Sequence, residues 1–401
     1  MRALLIALLL QAATLARAQL DVTEPLPVRS QFWQSLVDPA RRRAEQLVRQ
    51  GRAQLYPALG LTLLLGHEAA TQRRVSVENA VVRFERAVEL APDYLEARLL
   101  LGKALALWDR PGVDGTQEPH TREAIAVLTA LRARDPLYEA QELAFQLGIL
   151  HARAGDYEHA LAEYERALAM SSDDDDQATL LGNLAEVTMM RGDLTRALAI
   201  YERAAHVGKA EARVLGLWGT AITLDRLGES REALARASRA LREDRAPFAV
   251  LRQSGVFFVP SYELHYYEGL GALALAHGER EGAESFPQAV GRARSWAKQA
   301  RPGALTAFAK VGDELVEAGH EELALHWLGR SKATRSSPPP SAREPAKEPE
   351  LPMQREARVL YWSLRSLAAF SRYFRAADPE LPFREVADEH ITELTRLLQP
   401  Q

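Results

Sequence analysis

Small and bulky apolar residues recur along the chain at one fixed spacing. An alanine is followed four positions later by an aromatic residue, a leucine or another alanine, and seven positions after the first by a further small or apolar residue. Offsets of four and seven lie on one face of an α-helix, so each occurrence predicts a helix with a closely packing face. The pattern occurs at Ala80-Phe84-Ala87, Ala124-Leu128-Leu131, Ala160-Tyr164-Ala167, Ala197-Tyr201-Ala204 and Ala233-Ala237-Ala240.

A second helix is predicted before several of these helices. Leu147-Gly148 is followed by Gly155-Asp156 and then by the helix that contains Tyr164. Gly155 can end the first helix in the left-handed conformation, and Asp156 can cap the second. The same order recurs at Leu184-Ala185 with Gly192-Asp193, and at Leu224 with Gly228.

Together these features resemble the tetratricopeptide repeat family. In that family the first helix of each unit carries a Leu-Gly pair, a Gly-Asp turn follows, and the second helix carries the Ala, aromatic and Ala positions before a proline such as Pro92 or Pro136. The resemblance implies an all-α fold, a right-handed superhelical α-solenoid of stacked helix-turn-helix repeats. Because a single hairpin cannot bury its apolar face, we expect the units to share one continuous core.

The pattern divides the chain into five parts. We expect a signal peptide over 1–18, an N-terminal capping helix region over 19–60, a repeat array over 61–332, a proline-rich linker over 333–352 and a C-terminal helical segment over 353–401. The last segment is expected to contain two helices that either cap the array or bind elsewhere.

The array is expected to hold five clear and about two degenerate units. An insertion over Asp109–His120, rich in Pro and Gly, interrupts the second unit. The degenerate units are indicated by Gly278 with Ala289 and Ala293, and by Gly319 with Ala324 and Leu328.

The first residues have the order of a cleavable secretory signal. Arg2 precedes an apolar run over Ala3–Leu10, and Ala16-Arg17-Ala18 precedes Gln19. The run is shorter than the roughly 20 apolar residues of a spanning helix. We therefore expect cleavage near Ala18/Gln19, no transmembrane segment in the mature chain, and a periplasmic or secreted location. The sequence contains 0 cysteines, so no disulfide stabilises the fold.

Each candidate catalytic or metal-binding motif in the sequence is incomplete or lies in the wrong predicted element. His320 and Glu321 open the pattern of a zinc protease, but Ala324 stands where the second histidine ligand belongs, so we expect a capping turn there. Gly269-Leu270-Gly271 lies in a helical pattern with no preceding strand, which favours helix packing over dinucleotide binding. The acidic run Asp173–Asp176 is interpreted as a solvated helix start. We expect no catalytic residue, no metal and no cofactor, and His151, His159, His265 and His277 form no cluster at recognisable spacing.

The net charge and the aromatic residues give little information about the class of binding partner. The formal net charge is -4, which gives no indication of nucleic-acid binding. One stretch, Phe257–Tyr262 with His265, Tyr266 and Tyr267, concentrates aromatic residues, and we favour packing on the fifth unit over a partner-binding loop.

The resemblance also implies a binding surface. In this family ligands lie on the concave face, which is lined by first-helix positions beside the Leu-Gly pair. Carried onto this chain, the positions predicted to bind a partner are Leu99, Lys103, Phe145, Ile149, Arg153, Glu186, Met189, Met190, Trp218, Ile222 and Asp225. For each of them the alternative is a contact with the next repeat.

These observations favour a non-catalytic scaffold or adaptor of the bacterial cell envelope that binds a protein or peptide partner in the concave groove, in an envelope complex. One alternative is a structural component of a secretion, motility or cell-wall assembly. Another is an envelope hydrolase whose site uses residues such as His265 and Glu268.

Overall fold

The computed structural model describes residues 38–61, 67–111, 117–253, 262–300, 308–329, 354–377, 379, 381 and 383–400. The predicted signal peptide, most of the aromatic stretch at 257–262 and the proline-rich linker at 333–352 lie outside these residues.

Nearly all of the described residues are helical. The helices are, in chain order, α1 (Pro39–Leu61), α2 (His67–Leu90), α3 (Leu95–Leu107), α4 (Thr121–Arg134), α5 (Ala140–Arg153), α6 (Tyr157–Met170), α7 (Asp174–Met190), α8 (Leu194–Val207), α9 (Ala210–Arg226), α10 (Ser230–Glu243), α11 (Ala249–Gln253), α12 (Glu263–Gly278), α13 (Phe286–Gln299), α14 (Ala309–Glu317), α15 (Glu321–Leu328), α16 (Arg355–Ala376) and α17 (Arg384–Leu398). The fold is an all-α solenoid of helical repeats, as predicted.

The predicted insertion contains the described strands. β1 (Asp109–Pro111) and β2 (Gln117–Pro119) pair antiparallel, with Asp109 opposite Pro119. This short ladder projects between α3 and α4 and does not interrupt the hairpin that the two helices form.

The first ten helices form five consecutive hairpins, and the repeat residues explain why the helices approach so closely. A Cβ atom on Gly51 would lie 2.5 Å from the Phe84 ring, and one on Gly148 would lie 2.6 Å from the Tyr164 ring. Gly102 faces Leu128 in the same way. The absence of a side chain on the first helix therefore makes room for the bulky residue on the second.

The turns within the hairpins use glycine where the backbone needs it. Gly155, Gly192, Gly228 and Gly319 have φ angles of 75°, 87°, 84° and 85°, a region that other residues rarely adopt. Asp156 then caps α6 by accepting a hydrogen bond from the backbone N–H of His159. Asp193 caps α8 in the same way. The predicted Gly-Asp turns thus end one helix and start the next.

The N-terminal helix is more than the separate cap that the sequence predicts. Because Gly51 of α1 packs on Phe84 of α2, the two helices form the first hairpin of the array. Leu47, Val48 and Leu55 are buried in it. The first unit therefore begins near Pro39 and not near Leu61.

At the C-terminal end of the array, helix α16 occupies the position beside α12 that the sequence pattern assigns to α13. Sequence spacing pairs α12 with α13 as a sixth unit, but the main neighbour of α12 is α16. The Ser366 hydroxyl donates to the Gly269 carbonyl over 2.8 Å, and Gly269 lies against the Phe370 ring. Helices α13, α14 and α17 surround the remaining sides of α16. The C-terminal segment is thus built into the core, while α14 and α15 form the predicted hairpin around Gly319.

No helix among the described residues has both the length and the apolar content needed to cross a bilayer.

Candidate functional site

The predicted binding positions separate into two groups by exposure. Lys103, Phe145 and Arg153 are half-buried. The other positions are buried, and they are Leu99, Ile149, Glu186, Met189, Met190, Trp218, Ile222 and Asp225. Only the first group is within reach of a partner in this conformation, so partner binding by the positions in α7 and α9 stays a prediction.

The chain's own helices cover the first-helix face of α7 and α9, which we call the filled groove. The Trp218 ring stacks on Phe248 with centroids 6.0 Å apart. Asp225 accepts a hydrogen bond from the Tyr266 hydroxyl over 2.8 Å. Phe248 precedes α11 and Tyr266 belongs to α12, so elements that follow the fifth hairpin fold back over it. The next repeat thus covers these positions, which is the alternative that the sequence left open.

Buried polar groups fix the filled groove. The Glu186 carboxylate accepts hydrogen bonds from the hydroxyls of Tyr201, over 2.5 Å, and Tyr267, over 2.9 Å. Burial, together with the nearby Glu263 carboxylate, raises the pKa of Glu186 to about 8. Beside it, Arg226 donates to Glu263 over 2.6 Å, and both side chains are 0% exposed. These contacts join α7, α8, α9 and α12 and leave no room for a peptide among them.

The first-helix face of α3, α5 and the start of α7 carries exposed or half-buried side chains such as Lys103, Phe145 and Thr179, and we call it the open groove. A cavity of about 130 Å³ lies between α5 and α7. Its lining residues are Gln141, Glu142, Phe145, Asp176, Thr179 and Leu180. Phe145 and Leu180 give the cavity an apolar floor, while the carboxylates of Glu142 and Asp176 lie at its rim. The cavity contains one of the predicted positions, Phe145.

Polar contacts hold the sides of the open groove. Lys103 of α3 donates to Glu142 of α5 over 2.6 Å. Arg153 of α5 donates to the Ala106 carbonyl over 2.7 Å. The predicted residues Lys103 and Arg153 therefore connect neighbouring repeats as well as line the groove. The Phe145 ring is set against the Tyr164 ring, with centroids 6.3 Å apart.

The acidic end of the cavity comes from the start of α7. Asp173, Asp174 and Asp176 are exposed, and Asp173 accepts a hydrogen bond from the backbone N–H of Asp176 over 3.1 Å. This run is a solvated helix start, as the sequence indicates. It brings Asp176 within 3.5 Å of Gln141, across from Glu142.

The motifs considered for other chemistry take part in packing. Gly269 lies against Phe370, and Gly271 lies against Phe248 and Trp218, so this glycine pair serves helix packing as predicted. His320 precedes α15, and Ala324 is buried, which fits the expected capping turn. His265 and Glu268 approach within 3.7 Å, and Glu268 also lies 3.8 Å from Arg372 of α16.

Sequence reasoning missed one group of polar residues. His151, Asp156 and His159 come together at the turn between α5 and α6. The signal that could have found them is the Gly155 turn, because it places the last turn of α5 beside the first turn of α6.

Comparison with known proteins agrees with the repeat pattern. Residues 139–210 match the sequence model of the tetratricopeptide repeat family, which covers α5 to α8. The predicted tetratricopeptide repeats are thus confirmed in this segment, and such repeats support a role as a protein–protein interaction scaffold. No curated protein matches the chain.

Solved structures that resemble the chain include two of MamA, both with a TM-score of 0.35 and 18% identity. They cover 45% and 46% of this chain and 95% and 91% of their own. A crystal structure of the P58(IPK) TPR domain has a TM-score of 0.24 and 12% identity, and covers 88% of this chain and 98% of its own.

Proposed function

We propose that the chain is a non-catalytic adaptor of the bacterial cell envelope that binds a partner peptide or helix in the open groove. The observation that carries this proposal is the cavity beside Phe145. It combines an apolar floor with polar rim groups on the face where neighbouring first helices meet. Trp218 and Asp225 are covered by Phe248, by Tyr266 of α12 and by His390 of α17, so the open groove is where binding is expected.

The composition of the cavity suggests the kind of side chain it accepts. Phe145 and Leu180 can pack against a hydrocarbon stem, and the Glu142 and Asp176 carboxylates lie at the rim. Lysine and arginine have an apolar stem and a cationic end, so one such residue can satisfy both parts of the cavity. We therefore expect the partner segment to present a basic residue, or an apolar anchor next to one.

The dimensions of the groove set the length of the partner segment. Packed helices lie about 8–10 Å apart, so the path from Lys103 on α3 to Thr179 on α7 crosses roughly 20 Å. An extended peptide advances at most about 3.3–3.6 Å per residue. A segment of roughly six residues is therefore long enough to reach across the open groove.

The envelope location rests on the first eighteen residues. Their charged, apolar and small-residue order supports export. N-terminal sequencing of the protein from the envelope fraction of its host is expected to begin at Gln19. A protein found with its first residues intact in the cytoplasm would contradict the envelope role and leave the open groove unaffected.

A binding experiment tests the groove itself. Peptides are selected from a display library on the immobilised chain, and the affinity of the consensus peptide is measured by fluorescence anisotropy. Phe145→Ala is expected to weaken binding by roughly 30-fold, the loss typical of an anchor residue. Asp176→Asn is expected to weaken binding of a basic peptide and to reduce its dependence on salt.

The matched control is Val82→Ala on α2, which removes an apolar side chain that is 56% exposed outside the groove. It is expected to leave the affinity unchanged. Equal affinities for the original chain, Phe145→Ala and Val82→Ala, at equal melting temperatures, would place the binding surface elsewhere and reject the open groove.

A further inference from the structure

Three side chains with metal-binding atoms meet at the turn between α5 and α6. The Nδ1 atom of His151 lies 3.3 Å from Oδ2 of Asp156. The Nδ1 atom of His159 lies 2.8 Å from the same oxygen. The two imidazole rings are 5.1 Å apart and nearly parallel, with an interplanar angle of 24°. One possible ligand atom of each residue therefore lies within 4.8 Å of those of the other two.

The backbone of the turn explains this meeting. Gly155 adopts a left-handed conformation, and the backbone N–H of Asp156 then donates to the His151 carbonyl over 2.9 Å. This is the bond that closes a helix at its carboxyl end. The Asp156 side chain in turn caps the backbone N–H of His159. Rigid helix-end geometry thus sets the last turn of α5, the capping residue and the first turn of α6 side by side.

The same turn occurs at three other places with different residues. The corresponding backbone bonds run from Asp193 to Thr188, from Glu229 to Leu224 and from His320 to Leu315. The corresponding third positions carry Arg196, Glu232 and Leu323. None of these turns offers a pair of imidazoles with a carboxylate. The fold therefore requires the turn but does not require His151, Asp156 and His159 in it.

We propose that His151, Asp156 and His159 bind a divalent transition-metal ion, with zinc as the reference case. Two imidazole nitrogens and one carboxylate oxygen are ligands that zinc, nickel, copper and cobalt accept. In a tetrahedral zinc site, ligand atoms about 2.0–2.2 Å from the metal lie roughly 3.3 Å from one another. The His151–Asp156 separation already has this value, and the His159–Asp156 separation would have to grow by about half an ångström from its present 2.8 Å. The two histidine nitrogens lie within 4.8 Å of each other.

Exposure of the group permits this adjustment. The side chain of His151 is 16% exposed, so its position is set by packing, whereas the side chain of His159 is 70% exposed and has room to move away from Asp156. The fourth position of the metal faces solvent and is left for a water molecule or for a side chain of a partner.

Isothermal titration calorimetry of the untagged full chain with zinc chloride tests the proposal, and cobalt(II) absorption reports whether the ligands are inner-sphere. One equivalent of zinc is expected to bind. His151→Ala and His159→Ala are each expected to weaken binding at least roughly tenfold, since even outer-shell changes have that effect.

The carboxylate has a matched control in the next repeat. Asp156→Asn keeps a capping side chain but removes a ligand charge, and is expected to weaken zinc binding. Asp193→Asn makes the same change at the equivalent turn and is expected to leave it unchanged. Zinc affinity that is retained in His151→Ala and His159→Ala at unchanged circular dichroism would overturn the proposal. So would the absence of zinc binding to the unsubstituted chain at millimolar zinc.

Discussion

The Nε2 atom of His390 lies 2.8 Å from the Asp225 carboxylate, 165 residues earlier in the chain. His390 belongs to the last helix, α17, and Asp225 to the first helix of the fifth hairpin. His390 also stacks on Phe370 of α16, with ring centroids 4.6 Å apart. The contact shows that the C-terminal helices are part of the folded array and take up a surface that the repeat pattern alone would leave for a ligand.

Removal of the Phe370 ring is expected to destabilise the C-terminal half. The ring is buried, meets Tyr266 edge-on at 5.3 Å and fills the space beside Gly269. Phe370→Ala is expected to cost about 3–5 kcal/mol of unfolding free energy in urea denaturation. Leu325→Ala, at a side chain that is 55% exposed, is expected to stay within about 0.5 kcal/mol. A small effect at Phe370 would mean that α16 is loosely attached.

The buried Glu186 predicts a loss of stability at alkaline pH. Burial raises its folded-state pKa from 4.5 to about 8. The folded chain therefore holds this proton more tightly, so the stabilisation is complete below pH 4.5 and is lost as pH rises to about 8. His390 acts in the same direction, because Asp225 raises its pKa against the opposing effect of burial.

Glu186→Gln tests the contribution of the carboxyl group. It is expected to flatten the fall of melting temperature between pH 4.5 and about 8 and to make the variant the more stable chain at the upper end. The measurement is thermal unfolding by circular dichroism across that range. A variant whose melting temperature falls with pH as steeply as that of the original chain would assign the pH dependence to other groups.

The buried ion pair between Arg226 and Glu263 predicts that substitutions of the two residues have strongly non-additive effects on the free energy of unfolding. Arg226 also lies over the Phe383 ring at 3.8 Å, so the pair joins α9, α12 and the start of α17. Glu263→Leu leaves the guanidinium unpaired and is expected to cost about 3–5 kcal/mol. The double variant Arg226→Met, Glu263→Leu is expected to recover much of this loss. Additive losses in a double-mutant cycle would show that the two side chains do not interact.

Two glycines within helices, Gly148 and Gly291, predict opposite effects of substitution by alanine. A Cβ atom on Gly148 would lie 2.6 Å from the Tyr164 ring, so Gly148→Ala is expected to destabilise the chain by about 1–3 kcal/mol. Gly291 in α13 has nothing within 4 Å of the same position. Gly291→Ala is therefore expected to stabilise by about 0.5–1 kcal/mol through helix propensity. Melting temperatures that move in the same direction would refute the close approach.

The hairpins from α3 to α10 could be predicted because their packing is local. Ala160, Tyr164 and Ala167 are buried where their spacing places them, and Gly155 ends the helix before them. The helical segments near residues 354–375 and 383–398 also form helices, α16 and α17. Periodicity is enough for these features because it reflects which face of one helix meets its neighbour in sequence.

The place of α16 could not be predicted in the same way. Helices α12 and α16 are separated in the sequence by the proline-rich linker. The apolar periodicity of each helix shows which of its faces is buried but does not show which other helix packs on that face. For the same reason the sequence does not distinguish whether Trp218 and Asp225 bind a ligand or contact another helix of the same chain. Phe145 stays half-buried because no later segment among the described residues covers α5 at this point. What the sequence lacks is information on which distant helix fills a given face.

The first-helix face is open at α5 and filled from the end of α7 onward. Thr179 and Met190 lie eleven residues apart on α7, which is about three helical turns, so they share a face. Thr179 is exposed and Met190 is 5% exposed. The 0 native cysteines allow single thiols to be introduced at either position without background labelling.

The rate of maleimide labelling under native conditions measures the exposure of each thiol. Thr179→Cys is expected to react at the rate of a free thiol, and Met190→Cys only at the rate at which the C-terminal half unfolds. Equal and rapid labelling of both would show that the groove is open along its whole length, and would contradict the account.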